Sequence, residues 1–113
     1  MADDCMFCRI ARREIPVPFV YENDDVVAFR DINPQAPVHV LVVPRAHVAS
    51  LNEARDAAAI GQLALAAAQI ARAEGIADSG YRTVINTNAD AGQTVFHVHL
   101  HLLGGRSMAW PPG

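Results

Sequence analysis

The chain has 113 residues, 51% of them hydrophobic and 19% charged, and a formal net charge of -3. That length suits one domain with a single hydrophobic core, able to withdraw roughly two-thirds of the unfolded surface from water. The composition excludes a disordered chain, and the weak negative charge excludes a basic surface that tracks a nucleic acid backbone.

At the start, Met1-Ala2-Asp3-Asp4 is acidic and lacks the basic region and long apolar stretch of a secretory signal, which predicts a cytoplasmic protein. Cys5 to Arg13 carries apolar residues at Phe7, Ile10 and Ala11, the spacing of a short helix capped by Asp3 or Asp4 and stopped by Pro16. Phe19 to Tyr21 and Val26 to Arg30 are β-favouring runs on either side of the polar turn Glu22-Asn23-Asp24-Asp25, the pattern of a hairpin. Asp31 to Pro37 reads as a loop punctuated by two prolines. Val38 to Val43 is rich in β-branched residues and ends at Pro44, which predicts a central strand with little solvent on either face. His39 is the lone polar side chain within it.

From about Asn52 to Glu74, Ile60, Leu63, Ala67 and Ile70 follow helical spacing, Ser50 and Glu53 resemble a capping box, and Gly75 suits the stop. The alanine-rich run from Ala57 to Ala71 is interrupted by Gly61, Gln62 and Gln69 and falls short of the ~20 residues of a membrane span. Its small side chains let a helix lie close against a sheet. Tyr81 to Asn86 reads as a strand, Thr87 to Gly92 as a polar loop, and Val95 to Leu103 as the last strand. The whole is one α+β domain over residues 1–113, an antiparallel sheet with two helices.

The last strand carries the chemistry. Residues two apart in a strand share a face, so His97, His99 and His101 align on one side while Val98, Leu100 and Leu102 pack on the other. A single histidine such as His39 is as readily a satisfied core or surface residue. Three titratable rings in a row, by contrast, offer no packing benefit over aliphatics. A metal tract made from all three is the rival reading. Cys5 and Cys8 lie too close together to close a useful loop, and a reducing cytoplasm disfavours a structural disulfide. The pair is consistent with zinc, redox activity or two buried thiols; redox ranks lower because no thioredoxin-like βα pattern precedes it. For zinc, His47 and one histidine of the row would complete a tetrahedron with the two cysteines.

The string His97-Val98-His99-Leu100-His101-Leu102-Leu103 is similar to the signature of the histidine triad (HIT) family. Asp31 to His39, Pro44-Arg45-Ala46-His47, Gly80-Tyr81-Arg82, Asn86, Gly92-Gln93-Thr94 and the terminal Gly104 to Gly113 resemble the Hint branch of that family, so nearly the whole chain is covered in register. The resemblance implies a HIT-like fold, a homodimer whose sheet continues across the subunit interface, and cleavage of the P–N bond of purine nucleoside 5'-phosphoramidates. It assigns His99 as the nucleophile, forming a nucleotidyl-histidine intermediate. A neutral imidazole nitrogen attacks phosphorus when its other nitrogen is held as a donor, and the resemblance implies that a backbone carbonyl of the same strand, that of His97, holds it.

The same resemblance sets His101 against the phosphate and His39 behind it as an orienting partner, with the Thr94 hydroxyl and the loop amides from Gly92 to Val95 as further donors. Thr94 stands where many relatives have serine, which keeps the hydroxyl. Asp31 would accept from both ribose hydroxyls, Ile32 would wall the base, Asn86 would contact the nucleotide, and Trp110 would reach the neighbouring subunit's site. Asp31 and Asn86 also suit a cap or turn. Cys5, Cys8, His47 and His97 would hold a structural zinc with no open position, so no catalytic cofactor is required. The alternatives are a dinucleoside polyphosphate hydrolase of the Fhit type, against which the Gly-Gly-Arg and Trp-Pro-Pro-Gly tail argues, and a non-catalytic zinc-bearing nucleotide-binding or interaction module.

Overall fold

The computed structural model describes residues 4–113. In chain order its elements are helix α1 (Met6–Ala11), strands β1 (Tyr21–Glu22), β2 (Val26–Arg30) and β3 (Val38–Pro44), a 3-10 turn (Leu51–Glu53), helix α2 (Ala57–Ala73), strand β4 (Tyr81–Val84), helix α3 (Asn88–Ala91) and strand β5 (Leu100–Gly104). The strands pair antiparallel in the order β1-β2-β3-β5-β4.

Alternation along the strands divides the core in two. Val26, Ala28, Val40, Val42, Leu100 and Leu102 face α2, meeting Leu63, Ala66, Ala67 and Ile70. Val27, Phe29, Leu41 and Val43 face the other way, against Phe7, Ile10 and Ala11 of α1. β3 is therefore covered on both sides, which is why its sequence is a continuous apolar run. His39 and His101 lie on the α1 side, since they alternate with Val40 and Leu102.

Element ends shift by one or two residues from the sequence reading at α1, β1, β3, β4 and β5, where β1 is Tyr21–Glu22 and β4 stops at Val84, and four differences go further. Helix α1 is capped by Cys5, whose sulfur accepts from the Cys8 N–H at 3.4 Å, in place of Asp4; Asp3 lies outside the described residues. The Ser50 and Glu53 pair caps only the 3-10 turn, because Ala54 is extended and Asp56 starts α2 afresh by accepting from Ala58 N–H. Capping boxes satisfy the first turn of any helix, long or short, so this one carried no information about length. The loop after Thr87 winds into α3, which Gly92 ends at a φ of 84°.

The fourth difference bears on the site. β5 begins at Leu100, so His97 and His99 precede the strand. Continuing the β3–β5 register, in which Val42 faces Leu100, would set Val98 opposite Pro44. Pro44 has no N–H to give. Its carbonyl instead accepts from His97 Nε2, and Val98 donates its N–H to the Val48 carbonyl. The rings nevertheless stay on the α1 side, where Phe7 stands edge-on to both His97 and His99, with centroids 6.0 and 5.1 Å apart.

Candidate active site

A cavity of about 470 Å³ opens between α1, the loop after β2 and the approach to β5. Its lining brings together Asp31, Ile32, Thr94, Val95, His99 and His101, residues spread over seventy positions of sequence. Phe7 and Ile10 close its apolar floor, and Ile32 stands fully exposed at the rim. His39 is buried behind His101.

Backbone groups behind the rings decide where the imidazole protons sit. His99 Nδ1 lies 2.8 Å from the His97 carbonyl, so it must be the donor, and Nε2 of His99 is left as a lone pair. His39 is held the opposite way round. Its Nδ1 accepts from the Gln35 N–H at 3.0 Å, which puts the proton on Nε2. That Nε2–H donates to His101 Nδ1 at 2.9 Å, so His101 carries its proton on Nε2. His101 Nε2 is buried and has no hydrogen-bond partner among the described residues.

Burial pushes His101 down to about 4, reinforced by His99 and His39 and opposed by Asp31. Burial likewise lowers His39, with Asp31 pulling the other way. Both rings are neutral near pH 7, as the tautomer chain requires. The Asp31 carboxylate stands 3.4 Å from His39 Nε2 through one oxygen and accepts the Asn33 N–H at 2.8 Å through the other. Only the Asn33 N–H takes up one of its roughly four lone-pair sites, because the His39 Nε2–H is given to His101, which leaves capacity on the cavity side.

A second cluster lies beside Phe7. Ligand atoms of Cys5, Cys8, His47 and His97 all fall within 4.8 Å of one another. His97 Nδ1 is 3.3 Å from Cys5 Sγ, 3.4 Å from Cys8 Sγ and 3.2 Å from His47 Nδ1, and Cys8 Sγ is 3.4 Å from His47 Nδ1. A zinc tetrahedron with bonds of about 2.3 Å to sulfur and 2.0–2.1 Å to nitrogen has edges of roughly 3.3–3.8 Å, which these separations approach. His97 Nε2–H donates to the Pro44 carbonyl at 2.7 Å, so the Nδ1 lone pair points into the cluster. Burial lowers His97 as well, keeping that ring neutral. The donor set fits a four-coordinate metal.

Asp31, His39 and His101 are also close enough to suggest a metal site. Their tautomers argue otherwise, because a ligating imidazole donates its far nitrogen outward, whereas the far nitrogen of His39 accepts.

The sequence pattern of the HIT domain matches residues 12–108. The chain belongs to the HIT family. It is 56% identical to a HIT-like protein of Synechococcus elongatus over the full length of both. It is 49% identical to the purine nucleoside phosphoramidase of Escherichia coli, over 96% of this chain and 92% of that one. Among solved structures, a HIT family hydrolase from Legionella pneumophila superposes with a TM-score of 0.94 at 48% identity, covering 97% of this chain and all of the other.

In this HIT chain, three of the residues singled out from sequence for nucleotide contacts are not among those lining the cavity. Gly92 ends α3, Asn86 is half-buried beyond β4, and Trp110 is 81% exposed, with the Arg82 guanidinium 5.8 Å from its ring. Sequence reasoning missed two groups that matter. The Gln35 N–H, which sets the His39 tautomer, is a backbone atom and leaves no side-chain signal. Phe7 stands against both His97 and His99, and its helical spacing announced only a core residue.

Proposed function

We propose that this chain hydrolyses purine nucleoside 5'-phosphoramidates, cleaving the P–N bond through a nucleotide bound covalently to His99. The observation that carries the reading is the His99 ring itself, its Nδ1–H held by the His97 carbonyl and its ring on the cavity wall. The 49% identity to the Escherichia coli phosphoramidase supports it. Nε2 of His99 attacks phosphorus as a bond to the amine breaks; the amine departs with the electron pair of that bond and takes up a proton. Water then attacks phosphorus, the bond to Nε2 breaks, and the nucleoside monophosphate leaves as the lone pair is restored.

Charge gathers on the phosphoryl oxygens in both steps. The Nε2–H of His101, without a partner among the described residues, and the Thr94 hydroxyl are the donors near His99 that would meet it. Asp31 would take the ribose hydroxyls and Ile32 the base, both from the loop after β2, and Asn86, Gly92 and Val95 would complete the nucleotide contacts. Cys5, Cys8, His47 and His97 would hold zinc, which would neutralise the two thiolates and tie α1 to the segment before β5. We place the whole as one HIT domain, cytoplasmic and homodimeric. The outer position of β4 in the sheet and the exposed Trp110 support a second copy there.

Incubation with an adenosine 5'-phosphoramidate tests the reading. Wild type should release the amine and AMP, and a slow substrate should leave an AMP adduct that mass spectrometry locates on His99. An adduct on another residue, or turnover by His99→Ala equal to wild type, would end it.

A further inference from the structure

Gln93 is 6% exposed although polar loops surround it. Its Oε1 accepts the Asn88 N–H at 2.9 Å, and its Nε2 donates to the carbonyls of Ala49 at 2.8 Å and Val95 at 3.1 Å. Three segments meet at this one side chain: the start of α3, the loop following His47, and the Thr94 and Val95 wall of the cavity. The backbone adds to the same grip, since Gln93 N–H donates to the Asn88 carbonyl at 3.1 Å and Val98 N–H to the Val48 carbonyl at 2.6 Å. Val48 and Ala49 thus hold residues 93–98 at both ends. No strand ladder supports that segment, because β5 starts only at Leu100.

We propose that Gln93 is the positioning residue for the phosphoryl side of the cavity, fixing the Thr94 hydroxyl and the neighbouring backbone relative to His99; this rests on the phosphoramidase reading. Only a carboxamide offers two donors and an acceptor in one plane at that reach. A carboxylate would face the Ala49 and Val95 carbonyls without a proton to give, and an aliphatic would leave two carbonyls and one N–H without partners in a buried place. In either case the wall loosens. Donors that must reorganise during the reaction stabilise a phosphoryl transition state less than donors already in place.

The test compares full-length wild type, Gln93→Met and Gln93→Glu, the last two being near-isosteric so that one serves if the other does not fold. Amide hydrogen exchange at Gln93 and Val98 is followed by NMR without substrate, with β3 amides as the internal reference, and kcat and KM are measured on an adenosine 5'-phosphoramidate. We expect exchange at both amides to quicken about tenfold or more against β3. We expect kcat per folded molecule to fall about tenfold or more, with KM changing less. A merely structural role would lower the melting temperature and leave kcat of the folded fraction within about twofold of wild type. That result, or unchanged exchange at Val98 in both variants, overturns the proposal. If wild type itself fails to turn over phosphoramidate, the phosphoramidase reading falls, while the exchange comparison still decides whether Gln93 holds this wall.

Discussion

Two histidine clusters share one face of the sheet, yet they are prepared for opposite tasks. In the Cys5, Cys8, His47 and His97 cluster, a carbonyl stands behind His97 and turns a lone pair inward. In the Asp31, His39 and His101 cluster, an amide N–H stands behind His39 and turns a proton inward. His99 lies between them and follows the first pattern, with a carbonyl behind it and a lone pair ahead. Identical side chains therefore present a lone pair or a proton according to the backbone group at their far nitrogen.

The harshest way to break the comparison is to remove the lone pair between the clusters. His99→Ala should lower kcat by at least about 10³-fold, since the covalent route then has no nucleophile. Its melting temperature should stay near that of wild type, measured by circular dichroism, because one ring is lost and no metal ligand is touched. Next comes the metal side. Cys8→Ser should abolish stoichiometric zinc and cost roughly 2–4 kcal/mol of stability, read from denaturant unfolding with and without chelator. Zinc below about a tenth of an equivalent in wild type prepared with metal present would refute the ligand half of the comparison.

The relay half is probed by His39→Ala, which leaves His101 Nδ1 without its donor and frees the ring to exchange tautomers. Activity should fall about 10- to 100-fold, the range seen when an orienting partner is removed. Nitrogen chemical shifts of His101 should change from a single Nε2–H tautomer to a mixture. If they do not, the amide behind His39 is not what sets the proton.

Acidification should have the gentlest effect. His101 sits at about 4 against an ordinary 6.5, and His39 is also lowered, so the unfolded chain binds more protons than the folded one between those values. Stability is therefore fully present above about pH 6.5 and is lost progressively as pH falls toward 4. Melting temperatures between pH 8 and 7 should be flat with respect to these rings, and then decline on the acid side. Activity should decline in the same window, as a second proton on His101 would break its bond from His39.

Local pattern was enough to locate most strands and the long helix. Runs of β-branched residues and a 3.6-residue apolar spacing are local patterns, and they located β2, β3 and α2 and the row of three histidines, because burial acts on each element in the same way wherever it packs. Alternation continues through His97 and so overextends the last strand, while the reason it stops, a proline on the facing strand, lies across the sheet at Pro44. What each imidazole can do depends on contacts made across the fold. The carbonyl that readies His97 comes from 53 residues away, the cysteine nearest its ring from 92, and the ring that receives the His39 proton from 62. A proton's place on a ring depends on a partner within about 3 Å, and that distance exists only after the chain has folded.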